Sequence, residues 1–266
     1  MAGQQDYRPG FKQGCACCAA ESEYPELWRG LVGAWVPSLG CTGERLLDGS
    51  GKRGHGAFLG TGPHWQPSQY GPLVSFNGTN DAVDCGLFSA AGAGPFTVLV
   101  GGTANSGGDN NGAWISNNTG SNFRGPFLVQ NETSDQIRAY SGSQSLPAVS
   151  VAANVPHDIA LIRYPSAVGI ELVVDGKSLA SASGNSGVQT GQKLYLGYRD
   201  GLAQHWSGVL RYAYIYNRVL PPRLRQNLAA DPLALFRLRR PVYASASRRP
   251  FAAYRRLLAS AYGASP

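Results

Sequence analysis

The feature that most constrains this chain is the spacing of its apolar runs. LVGAWV (31–36), LVSF (73–76), FTVLVGG (96–102), HDIALIRY (157–164) and GIELVVDG (169–176) are too short for buried helices. They are bounded by turn formers, as strands are. GAFLG (56–60), AVDCG (82–86), AWISN (113–117), PFLVQN (126–131), IRAYSG (137–142), QKLYLGY (192–198) and WSGVLRYAYIYNRVL (206–220) continue the pattern. Between them lie NSGGDNNG, NNTGSN and SASGNSG, whose residues accept positive φ or close Asx turns. With 35 Gly, 17 Pro and only 15% charged residues, the composition points to many turns and few long surface helices, while 43% hydrophobic residues exclude general disorder. The pattern predicts an all-β sandwich or jelly roll.

At 266 residues, one large β domain with appended arms accommodates the whole pattern. The reading divides the chain into an N-terminal arm (1–28), a jelly-roll domain (29–232) and a C-terminal arm (233–266). A single helix is expected at PPRLRQNLAADP (221–232), started by proline and stopped by Asp231-Pro232. Trp35, Phe76, Phe96, Ile159, Leu161, Val173, Leu196 and Ile215 are the expected core.

The net charge of +7 is concentrated at one end. Residues 218–266 hold ten Arg against Asp231 alone, whereas residues 1–217 are close to neutral. The C-terminal arm repeats RRPVY (239–243) and RRPFAAY (248–254), pairing Arg with aromatics as interface anchors do. Arg237, Arg239, Arg240, Tyr243, Arg248, Arg249, Phe251 and Tyr254 are therefore the candidate assembly anchor, and a nucleic-acid role is the weaker expectation. The opening MAGQQDYRPGFKQG has no apolar signal core, and no window offers the roughly 18 apolar residues of a membrane span. The expectation is a soluble chain made in the cytoplasm without a signal peptide. Cys15, Cys17, Cys18, Cys41 and Cys85 do not form a disulfide framework, and the Cys-Ala-Cys-Cys cluster lacks a partner pair at zinc spacing.

Several segments, in order, resemble the laminin-G-like, concanavalin A-like lectin/glucanase superfamily. RGLVGAW (29–35) is followed by LLDGSGKRGHGAFLG (46–60), similar to the family's D-x-S-G-N-G-N-H-G-x-L segment at Asp48, Ser50, Gly51, His55 and Gly56. LVSFNGTNDAVDCG (73–86), ELVVDGKSLASA (171–182), LYLGY (194–198) and WSGVLRYAYIYNRVLPPRLRQNLAADP (206–232) resemble later motifs of that family. The resemblance implies a jelly roll of two antiparallel sheets. ADPLALFRLRRPVY also resembles the ending of laminin-G-like proteins encoded by bacteriophages.

Glycosidases of this superfamily place paired carboxylates on one strand face, one to protonate the leaving oxygen and one to attack or activate water. Glu171 and Asp175 stand at i, i+4 with Asp175 in an Asp-Gly turn, where they do not present as a catalytic pair, so no enzyme activity is expected. The polar insert in LVSFNGTNDAVDCG is read as an Asn77-Gly78 hairpin turn. Asn80, Asp81 and Asp84 are held as a possible calcium site, weakened by Arg211 standing near the position of the family's usual acid. Trp65, Tyr70, Trp114 and Trp206 are the candidate carbohydrate-binding aromatics. His55 is expected to be a structural hydrogen-bonder. Together these readings point to a non-enzymatic phage virion protein, a capsid decoration, head-fibre or tail-associated subunit on the particle exterior. It would contact other virion proteins, form a homo-oligomer and bind a glycan. A bacterial carbohydrate-binding or adhesion module is the alternative, and a glycoside hydrolase a weaker one.

Overall fold

The computed structural model describes residues 24–88, 94–106, 111–117, 126–133, 135–165, 169–184, 191–200 and 204–237. The predicted alternation becomes strands β1 (Leu31–Trp35), β2 (Arg45–Leu46), β3 (Gly56–Leu59), β4 (His64–Gln66), β5 (Leu73–Asn77), β6 (Ala82–Phe88) and β7 (Phe96–Ala104). They are followed by β8 (Ala113–Ser116), β9 (Leu128–Thr133), β10 (Gln136–Ser141), β11 (Gln144–Ser145), β12 (Val149–Ser150) and β13 (Pro156–Arg163). The last are β14 (Ile170–Val174), β15 (Lys177–Ala182), β16 (Gln192–Leu196), β17 (Tyr198–Arg199), β18 (Gln204–His205) and β19 (Ser207–Tyr216). Two short helices, α1 (Pro25–Trp28) and α2 (Pro222–Ala230), complete the described elements with two 3-10 turns, Pro37–Leu39 and Ala234–Phe236.

Two large antiparallel sheets result. The first runs β15-β14-β13-β7-β19-β5-β4, with β1 also on β19; the second runs β11-β10-β9-β8-β16-β6-β3-β2, with β12 on β10. β19 is long enough to carry β7 along one edge and β5 then β1 along the other. Inward residues such as Val98, Leu161 and Ile215 from the first sheet meet Val83, Ile115 and Leu196 from the second. Fully buried Trp114 and Trp206 stack between the sheets with ring centroids 4.5 Å apart.

One predicted turn is reassigned. β5 pairs with β4 and β19 in the first sheet, while β6 pairs with β3 and β16 in the second, so residues 78–81 cross between sheets. They are not a hairpin: turn chemistry is local, whereas strand pairing is decided by long-range register.

A bulge on β19 organises the outer face of the first sheet. Leu210 pairs with Gly102 and Tyr212 with Gly101, which leaves Arg211 as the extra residue. The inserted residue reverses the alternation. Leu210 therefore points into the core, whereas Tyr212, Tyr214 and Tyr216 all point outward into a second apolar cluster. Burial raises the pKa of all three phenols. Each hydroxyl has a partner: Asp158 for Tyr212, the Pro232 carbonyl for Tyr214 and the Leu27 carbonyl for Tyr216.

This second cluster corrects the expected domain limits and one core assignment. Leu27 and Trp28 of α1 and Leu235 and Phe236 beyond α2 are buried in it, so the folded unit extends past residues 29–232 on both sides. Trp28 donates its indole N–H to the Leu235 carbonyl at 3.0 Å and meets Phe236 edge-on at 5.8 Å. Val173 is buried here, outside the inter-sheet core where the other seven expected residues lie. α2 begins with Pro222 and packs on this face through fully buried Leu228. Burial of one such leucine contributes about 1.5–3 kcal/mol, and Leu228→Ala is the single change that would release the helix.

The Asp-x-Ser segment is explained by the Asp48 carboxylate, which is 1% exposed and ties its own loop to β1. His55 Nδ1 accepts the Asp48 N–H at 3.0 Å, the structural role expected of it.

Candidate functional site

A cleft of about 340 Å³ lies between α2 and the outer face of the first sheet. Its floor is apolar, formed by Leu99, Ala160 and Val173 from three adjacent strands, and α2 lines it with Ala229 and Ala230. The space follows from side-chain size. Leu228 reaches the sheet, whereas the two alanines after it are too short to fill the gap beside it.

Asp158, Asp175, Tyr212, Arg225 and Gln226 supply the polar part of the lining. Asp158, Gly101 and Tyr212 form one cross-strand row, and the absent side chain of Gly101 lets the Tyr212 ring lie across it. Tyr212 then donates its hydroxyl to Asp158 Oδ1 at 2.6 Å, and Arg211 donates from Nη2 to the same oxygen. Burial lowers the Arg211 pKa, but Asp158 and Tyr212 outweigh it and the net direction is upward. Asp175 occupies the left-handed position of an Asp-Gly turn, with φ 50. Its Oδ1 accepts the Asp158 backbone N–H at 2.9 Å, and its Oδ2 lies 2.7 Å from His157 Nδ1.

The outer face of the second sheet is a different surface. Tyr140, Leu128, Ser116, Tyr195, Asp84, Ala57 and Arg45 form one continuous row across seven strands. Leu128 and Ser116 are buried, but the row opens toward β6, where Leu87 is 78% exposed. There Lys193 ion-pairs with Asp84 at 2.8 Å and lies 5.9 Å from the Tyr195 ring, and its pKa is raised mainly by the hydrogen bond to Asp84. Tyr198 meets Tyr195 edge-on and stacks on His205 at 4.6 Å.

The structure does not assemble the four expected carbohydrate-binding aromatics. Trp114 and Trp206 are fully buried in the core, so neither can form a platform, and alternation around a bulge on β8 turned both Trp114 and Ile115 inward. Trp65 is half-buried, packs against Phe58 and donates to the Gly43 carbonyl at 2.7 Å. Tyr70 alone of the four is widely exposed, at 69%.

For the calcium trio, Asn80 and Asp81 come together but Asp84 does not join them. Asp81 Oδ2 accepts the Asn77 N–H, Asn80 Oδ1 accepts from the Asn77 amide, and the single Thr61 hydroxyl proton is shared between Asn80 Oδ1 and Asp81 Oδ1. These oxygens already close the crossing turn, while Asp84 turns outward to Lys193. Arg211 is not near this turn; it serves Asp158 across the sheet. Among the described residues, no group of three or more His, Cys, Asp or Glu side chains is placed to hold a metal ion. Arg239, Arg240, Tyr243, Arg248, Arg249, Phe251 and Tyr254, and Cys15, Cys17 and Cys18, lie outside the described residues; Arg237 stands just after Phe236.

Sequence reasoning missed Asp158 and Gln226. The usable signal was HDIALIRY itself: inward Ile159 and Leu161 alternate with Asp158, Ala160 and Ile162, so the acid belongs to the face that α2 covers.

A family model described as the concanavalin A-like lectin/glucanases superfamily matches residues 77–223. No curated protein matches the sequence significantly. Among solved structures, the chain is similar to Trypanosoma rangeli sialidase in complex with sialic acid, at TM-score 0.57 and 16% identity over 77% of this chain and 33% of that one. A mutant of that sialidase displaying trans-sialidase activity gives TM-score 0.60 and 14% identity over 83% and 38%. The chain thus spans about a third of the sialidase length. Domain 4 of AbnA, a GH43 extracellular arabinanase from Geobacillus stearothermophilus in complex with arabinotriose, gives TM-score 0.55 and 13% identity over 75% and 98%. At these identities the likeness concerns the fold.

Proposed function

Because the chain belongs to the concanavalin A-like lectin/glucanases superfamily, we propose that it is a non-enzymatic structural protein of a bacteriophage particle. In this reading it is a capsid decoration, head-fibre or tail-associated subunit on the virion exterior, homo-oligomeric, anchored to other virion proteins and adhering to glycans. One observation carries the proposal. The N-terminal segment through Trp28 and the C-terminal segment through Phe236 are held together on the outer face of the first sheet. The Arg-rich, aromatic sequence that follows starts from that face, and the exposed part of the second sheet around Leu87 and Lys193 is left for an outward role.

The glycan part is supported by the sialidase and arabinanase-domain structures whose fold this chain shares. The non-enzymatic part is supported by what the acids do: Asp48 and Asp81 organise loops, Asp84 pairs with Lys193, and Glu171 accepts from Tyr164. Asp158 and Asp175 are likewise held by Arg211 and His157. The full-length match to an arabinanase domain favours a second reading, a carbohydrate-binding module of a secreted system.

Mass spectrometry of purified particles from the source tests the proposal. The chain should be present in them, and removal of residues 237–266 should abolish incorporation while the β domain stays folded by circular dichroism. Absence from particles, or incorporation without the arm, would sink it. Hydrolysis of a glycan that stops on substitution of an acid would refute the non-enzymatic assignment.

A further inference from the structure

We infer that the cleft beneath α2 is a binding site for a neutral, hydroxyl-rich ligand the size of a monosaccharide. The inference is independent of the outward adhesion proposed above, because the cleft stands on the face from which the anchoring arm starts and not on the second sheet. Three observations carry it.

The first is size. About 340 Å³ lies at the lower end of the range for small-ligand pockets, roughly 300–1,000 Å³. The second is chemistry by position: the floor of Leu99, Ala160 and Val173 offers an apolar surface for the C–H face of a pyranose, while polar groups stand at its edge. Among those groups, both donors to Asp158 converge on Oδ1, and no hydrogen bond to Oδ2 is found among the described residues. The Asp158 side chain is 29% exposed, so that oxygen can accept from a ligand hydroxyl. Gln226 is exposed on α2, with its Nε2 close to the Asp175-Gly176 turn, where it can donate to a second hydroxyl.

The third is charge balance. The carboxylates of Asp158 and Asp175 are matched by two guanidinium groups, that of Arg211, bonded to Asp158, and that of Arg225 in the lining. These four groups sum to no net charge, so neither a strongly cationic nor an anionic ligand gains much from them. Many hydrogen bonds without net charge suit a neutral sugar.

The test is calorimetric or saturation-transfer titration of the full chain with methyl glycosides of neutral hexoses and pentoses, beside glucosamine and N-acetylneuraminate. At least one neutral glycoside should bind saturably, with a Kd of about 1 mM or tighter. Gln226→Ala, at an exposed position that leaves the fold intact, should weaken binding about tenfold, the loss of one good hydrogen bond. Ala229→Phe, which fills the cleft, should abolish it, and Leu87→Ala on the second sheet should leave it unchanged. Failure of every neutral glycoside, binding confined to the charged sugars, or binding that survives Gln226→Ala but is lost with Leu87→Ala would each overturn the inference. Particle association is measured separately, so loss of this site and loss of the virion reading are distinguishable.

Discussion

Asp48 offers the sharpest test of how the fold is held. Its Oδ1 accepts the N–H groups of Ala34 and Ser50 at 2.9 and 2.8 Å, and its Oδ2 accepts the Ser50 hydroxyl at 2.8 Å and the Gly54 N–H at 3.0 Å. Asp48→Ala removes all four acceptor contacts and strands buried backbone donors, each at a cost of about 1–3 kcal/mol. A total near 4 kcal/mol is expected, or a fall in Tm of about 8–16 °C for a unit of this size. Asp48→Asn keeps one oxygen, and Ser50 can rotate to accept from the new amide, but that amide faces the Gly54 N–H donor to donor. About 2 kcal/mol is expected for it, and about 1 kcal/mol for Ser50→Ala. Urea denaturation of the three variants measures the series. The reasoning is refuted if Asp48→Ala falls within about 1 kcal/mol of the wild type, or if the Asn variant is as damaging as the Ala variant.

The outward tyrosines make stability sensitive to alkali. Burial raises the folded-state pKa of Tyr212, Tyr214 and Tyr216, so between the unfolded value of about 10 and the folded values the native state holds more protons. Their contribution is intact below pH of about 10 and falls above it by up to about 4 kcal/mol per pH unit for three groups. Denaturant midpoints measured through this range should drop steeply, and Tyr216→Phe should flatten the slope; a flat profile would contradict the burial argument. Gly101→Ala would place a Cβ 2.2 Å from the Tyr212 ring. It should cost about 1–3 kcal/mol, read by thermal melting, whereas an unchanged Tm would show that Tyr212 need not lie across Gly101.

The strands and their inward residues were legible in the sequence because alternation and turn chemistry are local signals. LVSF and AVDCG were both recognised as strands, yet their assignment to one hairpin failed because sheet membership depends on partners far along the chain. The outward turn of Tyr212, Tyr214 and Tyr216 was hidden for a related reason. A single bulged residue, Arg211, reverses the face of everything after it, and no composition signal marks it. Trp114 and Trp206 were drawn toward a surface role by their aromatic type, but fill the space between the sheets. The cleft was the least legible part: it exists because Ala229 and Ala230 follow Leu228 over Asp158, a juxtaposition of strand, bulge and helix distant in sequence.

The most direct measurement of the proposed role is a cryo-electron microscopy map of particles that contain the chain, at a resolution that separates its two sheets. α2 and residues 231–236 should face the supporting shell or tail, with Leu87 and Lys193 of the second sheet facing solvent. A subunit seated on its second sheet, with α2 turned outward, would contradict the proposed anchoring.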